Sequence, residues 1–190
     1  MAENQMRGYV LMAAVAYLRK TAGEQHAKRV LDGLSPETKQ ALATAKEASW
    51  CSTKSVAEML HAVASLSNGN ESSAQKNLID CGKYAAHEAS NTFLRLFMKL
   101  LTPTMFAKKL PDIWARDCTV GKITVEVHAD RIRNRLVDMT GFDHIAPLAV
   151  GYVAFALEAM GKSITKTELH GWSLATPGPS DCWFEVFWRA

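Results

Sequence analysis

The chain has few of the features that most directly indicate a function. Its four cysteines, at positions 51, 81, 118 and 182, form no CxxC pair. A disulfide framework is therefore not expected, and the reducing cytoplasm is the predicted compartment. No apolar run reaches the roughly 20 residues of a membrane-spanning helix. The charge-free stretch GYVLMAAVAYL at residues 8–18 predicts a core helix rather than a secretory signal, because no basic leader or small-residue cleavage site frames it.

The motifs of several common chemistries are also missing. The sequence contains no GxGxxG, no GxxxxGK[ST], no GxSxG and no HExxH. These absences argue against the usual modes of nucleotide binding and against common hydrolases. The net charge of +3, from 22 Lys+Arg and 19 Asp+Glu, is too small to indicate nucleic acid or an acidic membrane. We expect no nucleic-acid partner, no membrane span, no catalytic residues and no cofactor.

What the chain does have is the composition of an ordinary globular domain. Hydrophobic residues make up 48% and charged residues 22% of its 190 residues, which is close to the average for folded domains and far from that of disordered chains. No internal repeat, low-complexity tract or linker divides the sequence. We therefore expect a single domain over residues 1–190.

Helical periodicity dominates the first 110 or so residues. The predicted helices cover residues 4–20, 23–31, 36–48, 53–66 and 71–101. Ser35 followed by Pro36 is an N-cap with proline in the first helical position, and Ser52 or Thr53 can cap the fourth helix. The second half of the long fifth helix has one polar stripe, at Glu88, Asn91, Arg95 and Lys99, and is otherwise apolar. This pattern predicts a central core helix or a dimer interface, ended by Thr102-Pro103.

After Pro111 the period changes from 3.6 to 2, which indicates strands. Residues 122–128 and 131–135 predict an antiparallel hairpin in which Glu126 faces an arginine. A nearly uncharged helix over residues 147–160 must be largely enclosed, and residues 163–170 and 182–188 predict two more strands. Aromatic side chains alternate on both sides of the last strand, which predicts that both its faces are covered. The predicted class is α+β, with an N-terminal helical half packed on a four-stranded antiparallel sheet of order strand-strand-helix-strand-strand.

Three groups of residues could carry chemistry. His144, Glu168, His170 and Cys182 are the best metal-ligand candidates, since Glu168 and His170 share a strand face, but their spacing lacks the short-range pairs of zinc sites. Arg131, Arg133 and Arg135 share another face, and either hold an anion or form a solvated sheet surface. On the long helix, His87 either ligates a heme or contacts a ligand, or it is a hydrogen-bonded core residue. Cys81 is either a small buried hydrophobic residue or an accessible thiol.

The C-terminal segments GYVAFALEAMGK (151–162), ITKTELHGW (164–172) and CWFEVFW (182–188) resemble the vinyl-reductase-type ligand-binding domain. That domain shares a superfamily with heme-nitric-oxide sensors and TRAPP trafficking subunits. The segments SWCSTKSVAEMLHAV (49–63) and LPDIWARDCTVGKITVEV (110–127), with glycines at Arg7-Gly8 and Cys81-Gly82-Lys83, are similar to bacterial, especially myxobacterial, members without an assigned function. The resemblance covers nearly the whole chain.

The resemblance implies helices packed on a four-stranded antiparallel sheet, often as a dimer, with an apolar cavity for aromatic or acyl ligands. Phenol-sensing relatives hold zinc with a glutamate, a cysteine three residues later and a cysteine that opens the last strand. Glu168 and Cys182 match two of these ligands, but Gly171 stands where the first cysteine is expected. The tyrosine-serine-arginine signature of the heme sensors is absent, so the resemblance assigns no heme to His87.

These observations favour a non-catalytic sensory or signalling module that binds an apolar small molecule, aromatic or acyl, between helices and sheet. The expected lining residues are Tyr84, His87, Trp114, Tyr152 and Phe155, since their rings bury well and their polar tips orient a ligand. The alternative is a homodimeric protein-interaction module without a ligand, because wide apolar helix faces also fit a second subunit. A metal-assisted enzyme built on His144, Glu168, His170 and Cys182 is the third hypothesis.

Overall fold

The structure is a computed structural model that describes residues 4–90, 96 and 98–189. Helices and antiparallel strands together form an α+β fold. Along the chain the elements are β1 Gln5–Arg7, α1 Gly8–Ala22, α2 Glu24–Gly33, α3 Pro36–Thr44, β2 Trp50–Ser52, α4 Thr53–Ser65, α5 Glu71–Ala89, α6 Pro103–Asp117, β3 Lys122–Val127, β4 Arg131–Val137, α7 Ile145–Ala159, β5 Ser163–His170 and β6 Asp181–Arg189.

Side-chain caps begin four of the helices. Each capping oxygen accepts a backbone N–H from the first turn, which satisfies a donor that has no partner inside the helix. The cap and donor pairs are Ser35 with Thr38, Ser52 with Lys54, Asn70 with Ser73, and Thr102 with Met105. The predicted helix starts at Pro36 and near Thr53 are confirmed, with Ser52 as the cap of α4.

The first predicted helix is wrong in its first residues, which form strand β1. β1 pairs antiparallel with β2, and Met6 lies opposite Cys51. Helix α1 begins only at Gly8, where a Cβ atom would lie 2.4 Å from the Lys46 carbonyl oxygen. The chain before α4 therefore packs directly on the backbone at the start of α1. Residues 5–7 form a strand because they pair with β2, which is distant in sequence and does not affect the local periodicity of these residues.

The predicted helix over residues 71–101 is too long, because α5 ends at Ala89. Ser90 follows with φ −100° and ψ 113°, and its hydroxyl donates to the His87 carbonyl at 2.9 Å. The part of the predicted polar stripe that falls on residues 91–95 lies outside the described residues.

Thr102-Pro103 begins a helix rather than ending one. Pro103 occupies the first turn of α6, where a missing N–H costs nothing, and Thr102 caps that turn. The helix continues to Asp117 with Pro111 in its interior. Proline usually interrupts a helix there, which is why the sequence pattern gave no helix across this position.

The larger sheet has the strand order β3-β4-β6-β5, with every neighbouring pair antiparallel. Glu126 lies opposite Arg133, as the hairpin prediction requires. One face of β6 enters the core with Phe184 and Val186, while Glu185 on the other face is only 4% exposed. The guanidinium groups of Arg131 and Arg133 cover that carboxylate, so both faces of β6 are covered.

Helices α5 and α7 cross with their backbones in contact. A Cβ atom added at Gly82 would lie 2.1 Å from the Leu148 carbonyl oxygen, and one at Gly151 would lie 2.1 Å from that of Ile79. α7 also packs on β5 and β6, which explains why this nearly uncharged helix is buried along most of its length. Within the described part of the chain, no helix is long and apolar enough to cross a membrane.

Candidate ligand cavity

A cavity of about 1250 Å³ lies among α1, α5, α6 and α7, and reaches Ile123 on β3. Buried side chains such as Leu110, Leu148 and Val153 form its inner wall, and exposed ones such as Met105 and Lys108 belong to its rim. The cavity therefore has an apolar interior and opens to solvent. Its volume exceeds the roughly 300–1000 Å³ of most small-molecule sites.

Small side chains on three helices make the cavity wide. The helical alanines that line it are Ala13, Ala16, Ala85, Ala86, Ala89, Ala149 and Ala156. Methionines line it as well, at Met6, Met12, Met98 and Met105. The unbranched, polarisable methionine side chain adapts its rotamers to irregular shapes, so part of this wall can adjust to more than one occupant.

Three of the five predicted lining residues, Trp114, Tyr152 and Phe155, line this cavity. The Trp114 indole Nε1 donates to the Val120 carbonyl at 3.0 Å, which fixes the ring against the segment before β3. Phe155 contacts the His87 ring edge to face, with ring centroids 6.0 Å apart. The aromatic wall therefore spans α6 and α7.

Tyr84 and His87 lie on the other side of α5 from the cavity. The helical repeat of 3.6 residues directs Ala85 and Ala89 inward and leaves these two residues on the opposite arc. The Tyr84 ring packs near that of Tyr17, with centroids 6.1 Å apart. His87 is exposed, and its Nδ1 lies 3.2 Å from the Glu88 carboxylate.

A polar cluster occupies one end of the cavity wall. The Tyr9 hydroxyl donates to the Asp117 carboxylate at 3.3 Å, and Arg116 holds both oxygens of that carboxylate at 2.8 and 2.6 Å. Burial and then the Asp117 charge raise the pKa of Tyr9 above its ordinary value. The phenol therefore keeps its proton and remains a hydrogen-bond donor, and Arg116 neutralises the buried carboxylate.

The Tyr152 hydroxyl is buried and has no partner of good hydrogen-bond geometry among the described residues. Burial first, and the nearby Tyr9 hydroxyl second, raise its pKa, and the two rings pack edge to face at 6.4 Å. Sequence reasoning selected Tyr152 but missed Tyr9. The apolar stretch around Tyr9 indicated only a core helix, because its partner Asp117 is 108 positions away.

The predicted metal constellation does not form. His144 contacts His61, whereas Glu168 and His170 lie on the outer face of the sheet and Cys182 lies on its core face. Burial raises the pKa of the Cys182 thiol to about 12, which keeps it protonated. The described residues contain no group of three or more metal-ligating side chains.

The row of arginines on β4 is engaged by carboxylates. Arg131 and Arg133 both donate to Glu185, at 2.9 and 3.1 Å, and Arg135 donates to Asp181. This pairing matches a solvated sheet face rather than an anion site. Cys81 is fully buried and burial raises its pKa to about 12, so it behaves as a small core residue.

No family model matches this chain, and no curated protein matches it. Several solved structures are similar to it. An H-NOX protein mutant from K. algicida, in the Fe(II) unliganded form, superimposes with a TM-score of 0.72 at 10% identity over 97% of each chain. An H-NOX protein from S. oneidensis in the Fe(II)NO ligation state gives 0.69 at 13% identity, over 97% of this chain and 100% of that one. A mutant H-NOX from T. Tengcongensis gives 0.59 at 13% identity over 97% and 98%. At these identities the likeness shows the fold alone.

The cavity residues do not fit a heme iron held by histidine. None of the six histidines of the chain is among the lining residues, although imidazole is a common axial ligand of heme. The lining thiol of Cys118 is protonated, because burial raises its pKa to about 11, and it donates to the Val120 carbonyl. The fold of the iron-containing neighbours is therefore present here with a different donor set.

Proposed function

We propose that this protein is a non-catalytic sensory or binding module that takes an apolar small molecule, aromatic or acyl, in the cavity among α1, α5, α6 and α7. The cavity itself carries the proposal. Its size, its apolar interior and its open rim are the properties of a site for an organic ligand. The vinyl-reductase-type part of the sequence resemblance supports aromatic and acyl compounds as the first ligands to test and stays a prediction.

In this proposal the aromatic side chains hold the ligand and the alanines give it room. Trp114, Tyr152 and Phe155 contact the ligand through their ring faces, while Tyr9 presents a phenol whose proton stays on oxygen. Tyr84 and His87 act only indirectly, His87 through its contact with Phe155. Burial of ligand surface against this wall provides the affinity, at about 25 cal/mol per Å² of apolar area.

The lining residues favour an organic ligand over an iron group. The S. oneidensis neighbour is described with NO on Fe(II), so this fold can enclose a bound molecule. In the present chain the lining has no histidine to hold iron, and it has alanines on three helices. We propose that the whole chain acts as one ligand-binding domain.

The neutral fluorophore N-phenyl-1-naphthylamine tests this function directly. We expect its fluorescence to rise on binding to the wild-type protein. Ala16→Trp, which fills part of the cavity from α1, should weaken binding at least tenfold, since its indole takes space that the ligand would occupy. Ala115→Trp is the matched control, because Ala115 is exposed on α6 and does not line the cavity. No binding by wild type, or equal binding by both variants, overturns the proposal.

The homodimeric interaction module stays the alternative. The exposed Met12 and Met105 at the cavity rim are the observation that favours it. Light scattering on the same samples separates the two functions: a monomer that binds the fluorophore excludes the alternative, and a dimer that does not bind it supports the alternative.

A further inference from the structure

Exposed apolar side chains gather around the opening of the cavity. The large apolar residues that are exposed among the described residues are Met12, Trp50, Leu96, Leu100, Met105 and Val127. Met12 and Met105 line the cavity, and Leu96 and Leu100 belong to the segment whose Met98 and Leu101 line it. Leu100 is the most exposed, at 77%. Such clustering marks an interaction surface.

The segment that carries most of these side chains is basic, whereas the acidic lining residues Glu47, Glu88 and Asp117 lie on other segments of the chain. In the described part of residues 96–109 the charged residues are Lys99, Lys108 and Lys109, all exposed, and none is acidic. Lys109 has the nearest carboxylate among them, that of Asp112 at 3.7 Å, and both side chains are more than 70% exposed. We call Met12, Leu96, Lys99, Leu100, Met105, Lys108 and Lys109 the mouth surface.

We propose that the mouth surface docks on an anionic lipid bilayer. Its leucines and methionines enter the interface between headgroups and acyl chains, and its lysines contact the anionic headgroups. Apolar side chains together with several lysines supply the two signals that peripheral membrane binding needs. This inference goes beyond ligand binding, and it supplies a route for an apolar ligand, since the same opening leads into the cavity.

The composition of the mouth surface favours a bilayer over a protein. Protein interfaces are enriched in aromatic residues, methionine and arginine and depleted in lysine. The mouth surface has two methionines, but it has three lysines and neither an aromatic residue nor an arginine. A second copy of the chain is also disfavoured, because a symmetric contact pairs the mouth surface with itself, and no residue of that surface is a carboxylate that could pair with the lysines. The overall charge of +3 gave no sign of this, because the excess is local.

Vesicle co-sedimentation tests the proposal. We expect binding to phosphatidylcholine vesicles with about 30% phosphatidylglycerol, weak binding to pure phosphatidylcholine, and loss of binding at high salt. Lys108→Glu with Lys109→Glu should weaken binding at least 25-fold, at about fivefold for each lysine. Lys54→Glu is the matched control, since Lys54 is exposed on α4 away from the cavity, and should change binding less than about twofold in salt-matched buffer.

A second pair of variants tests how much the apolar side chains of the mouth surface contribute to vesicle binding. Leu100→Ser with Met105→Ser should weaken vesicle binding, and Val127→Ser, at an exposed site on β3, should not. Equal binding to both vesicle types, no vesicle binding, or equal losses in the control variants overturn the proposal. A dimer in light scattering that Leu100→Ser with Met105→Ser dissociates, without vesicle binding by wild type, assigns the surface to a protein partner instead. Lys99→Glu should weaken vesicle binding about fivefold, whereas its fluorophore binding without vesicles should persist, because Lys99 is exposed and is not among the lining residues of the cavity. Failure of docking and failure of ligand binding are therefore distinguishable.

Discussion

The imidazole Nε2 of His144 lies 3.4 Å from Nδ1 of His61, which joins the start of α7 to α4. His144 is 1% exposed, and its ring also packs edge to face on Trp172 with centroids 6.0 Å apart. Its Nδ1 has no partner among the described residues. The contact is best satisfied when Nε2 of His144 carries the proton and donates a hydrogen bond to Nδ1 of His61, so His144 is neutral in the folded state.

This pair predicts a loss of stability in mild acid. Burial first and the neighbouring His61 second lower the pKa of His144 to about 4, against a smaller opposite effect of Asp143. The unfolded chain has the ordinary histidine pKa near 6.5 and binds the proton first. Protonation of His144 therefore does not reduce the free energy of unfolding above pH 6.5. As the pH drops toward 4, it lowers the free energy of unfolding by roughly 3 kcal/mol.

Chemical denaturation at several pH values measures this slope. His144→Asn should flatten it between pH 6.5 and 4.5, and asparagine tolerates the left-handed backbone of this position, where φ is 63°. His26→Asn, at an exposed site on α2, serves as the control and should keep the wild-type slope. Identical slopes in all three proteins would contradict the assignment.

At the glycines where α5 and α7 cross, the backbones are in contact, so adding one methyl group there should strongly lower the free energy of unfolding. Gly151→Ala should lower the free energy of unfolding by at least about 2 kcal/mol, because the added carbon forces two packed backbones apart. Gly33→Ala at the end of α2 meets no atom within 4 Å, so it should be neutral or stabilise by up to about 1 kcal/mol. Thermal unfolding of both variants gives the comparison, and a neutral Gly151→Ala would show that the helices can separate without cost.

The buried carboxylate of Glu185 predicts different losses of stability for two substitutions, Glu185→Ala and Glu185→Gln. Glu185→Ala should destabilise the protein by about 2 kcal/mol, since it leaves Arg131 and Arg133 facing each other without their shared partner. Partial solvent exposure of both arginines keeps the loss below that of a fully buried pair. Glu185→Gln retains the acceptor oxygen and should lose less. Urea midpoints rank the variants, and equal losses would assign the whole effect to the charge, which both variants remove, and none to the acceptor oxygen or packing that Gln retains.

Asn134 lies fully buried on the core face of β4, and neither side-chain polar atom has a partner among the described residues. Asn134→Leu should raise the free energy of unfolding by about 1 kcal/mol, because it removes an unsatisfied amide of similar shape. Asn70→Leu is the opposite case, since Asn70 caps α5, and should cost about 1 kcal/mol. A destabilised Asn134→Leu would show that the amide has a hydrogen-bond partner in solution.

Local signals predicted much of this fold. The caps at Ser35 and Ser52 and the predicted strand at residues 163–170 depend on neighbours in the chain, and the structure agrees with them. The prediction was wrong at Thr102-Pro103, because such a dipeptide can either end a helix or begin one. In the structure α6 packs against β3 and continues through Pro111.

The candidate site was less accessible to sequence reasoning. Trp114, Tyr152 and Phe155 were found because large rings on enclosed helices face the interior. The inward arc of α5 consists of alanines such as Ala85 and Ala89, whose small side chains carry no chemical signal, so the more conspicuous Tyr84 and His87 were selected from the outer arc. The proposed metal ligands failed for a related reason: strand parity separates Cys182 from Glu168, and it depends on the pairing register.

The methionines of the cavity wall make the site sensitive to oxidants. Met12 and Met105 are exposed at the rim, while Met6 and Met98 are buried behind them, so a peroxide that approaches the opening reaches the outer two first. Oxidation of a thioether to a sulfoxide replaces a flexible apolar group with a polar one. Two such changes would surround the entrance with strong hydrogen-bond acceptors, and a methionine sulfoxide reductase could restore it. The same side chains that let the wall adapt its shape thus couple the state of the entrance to redox conditions.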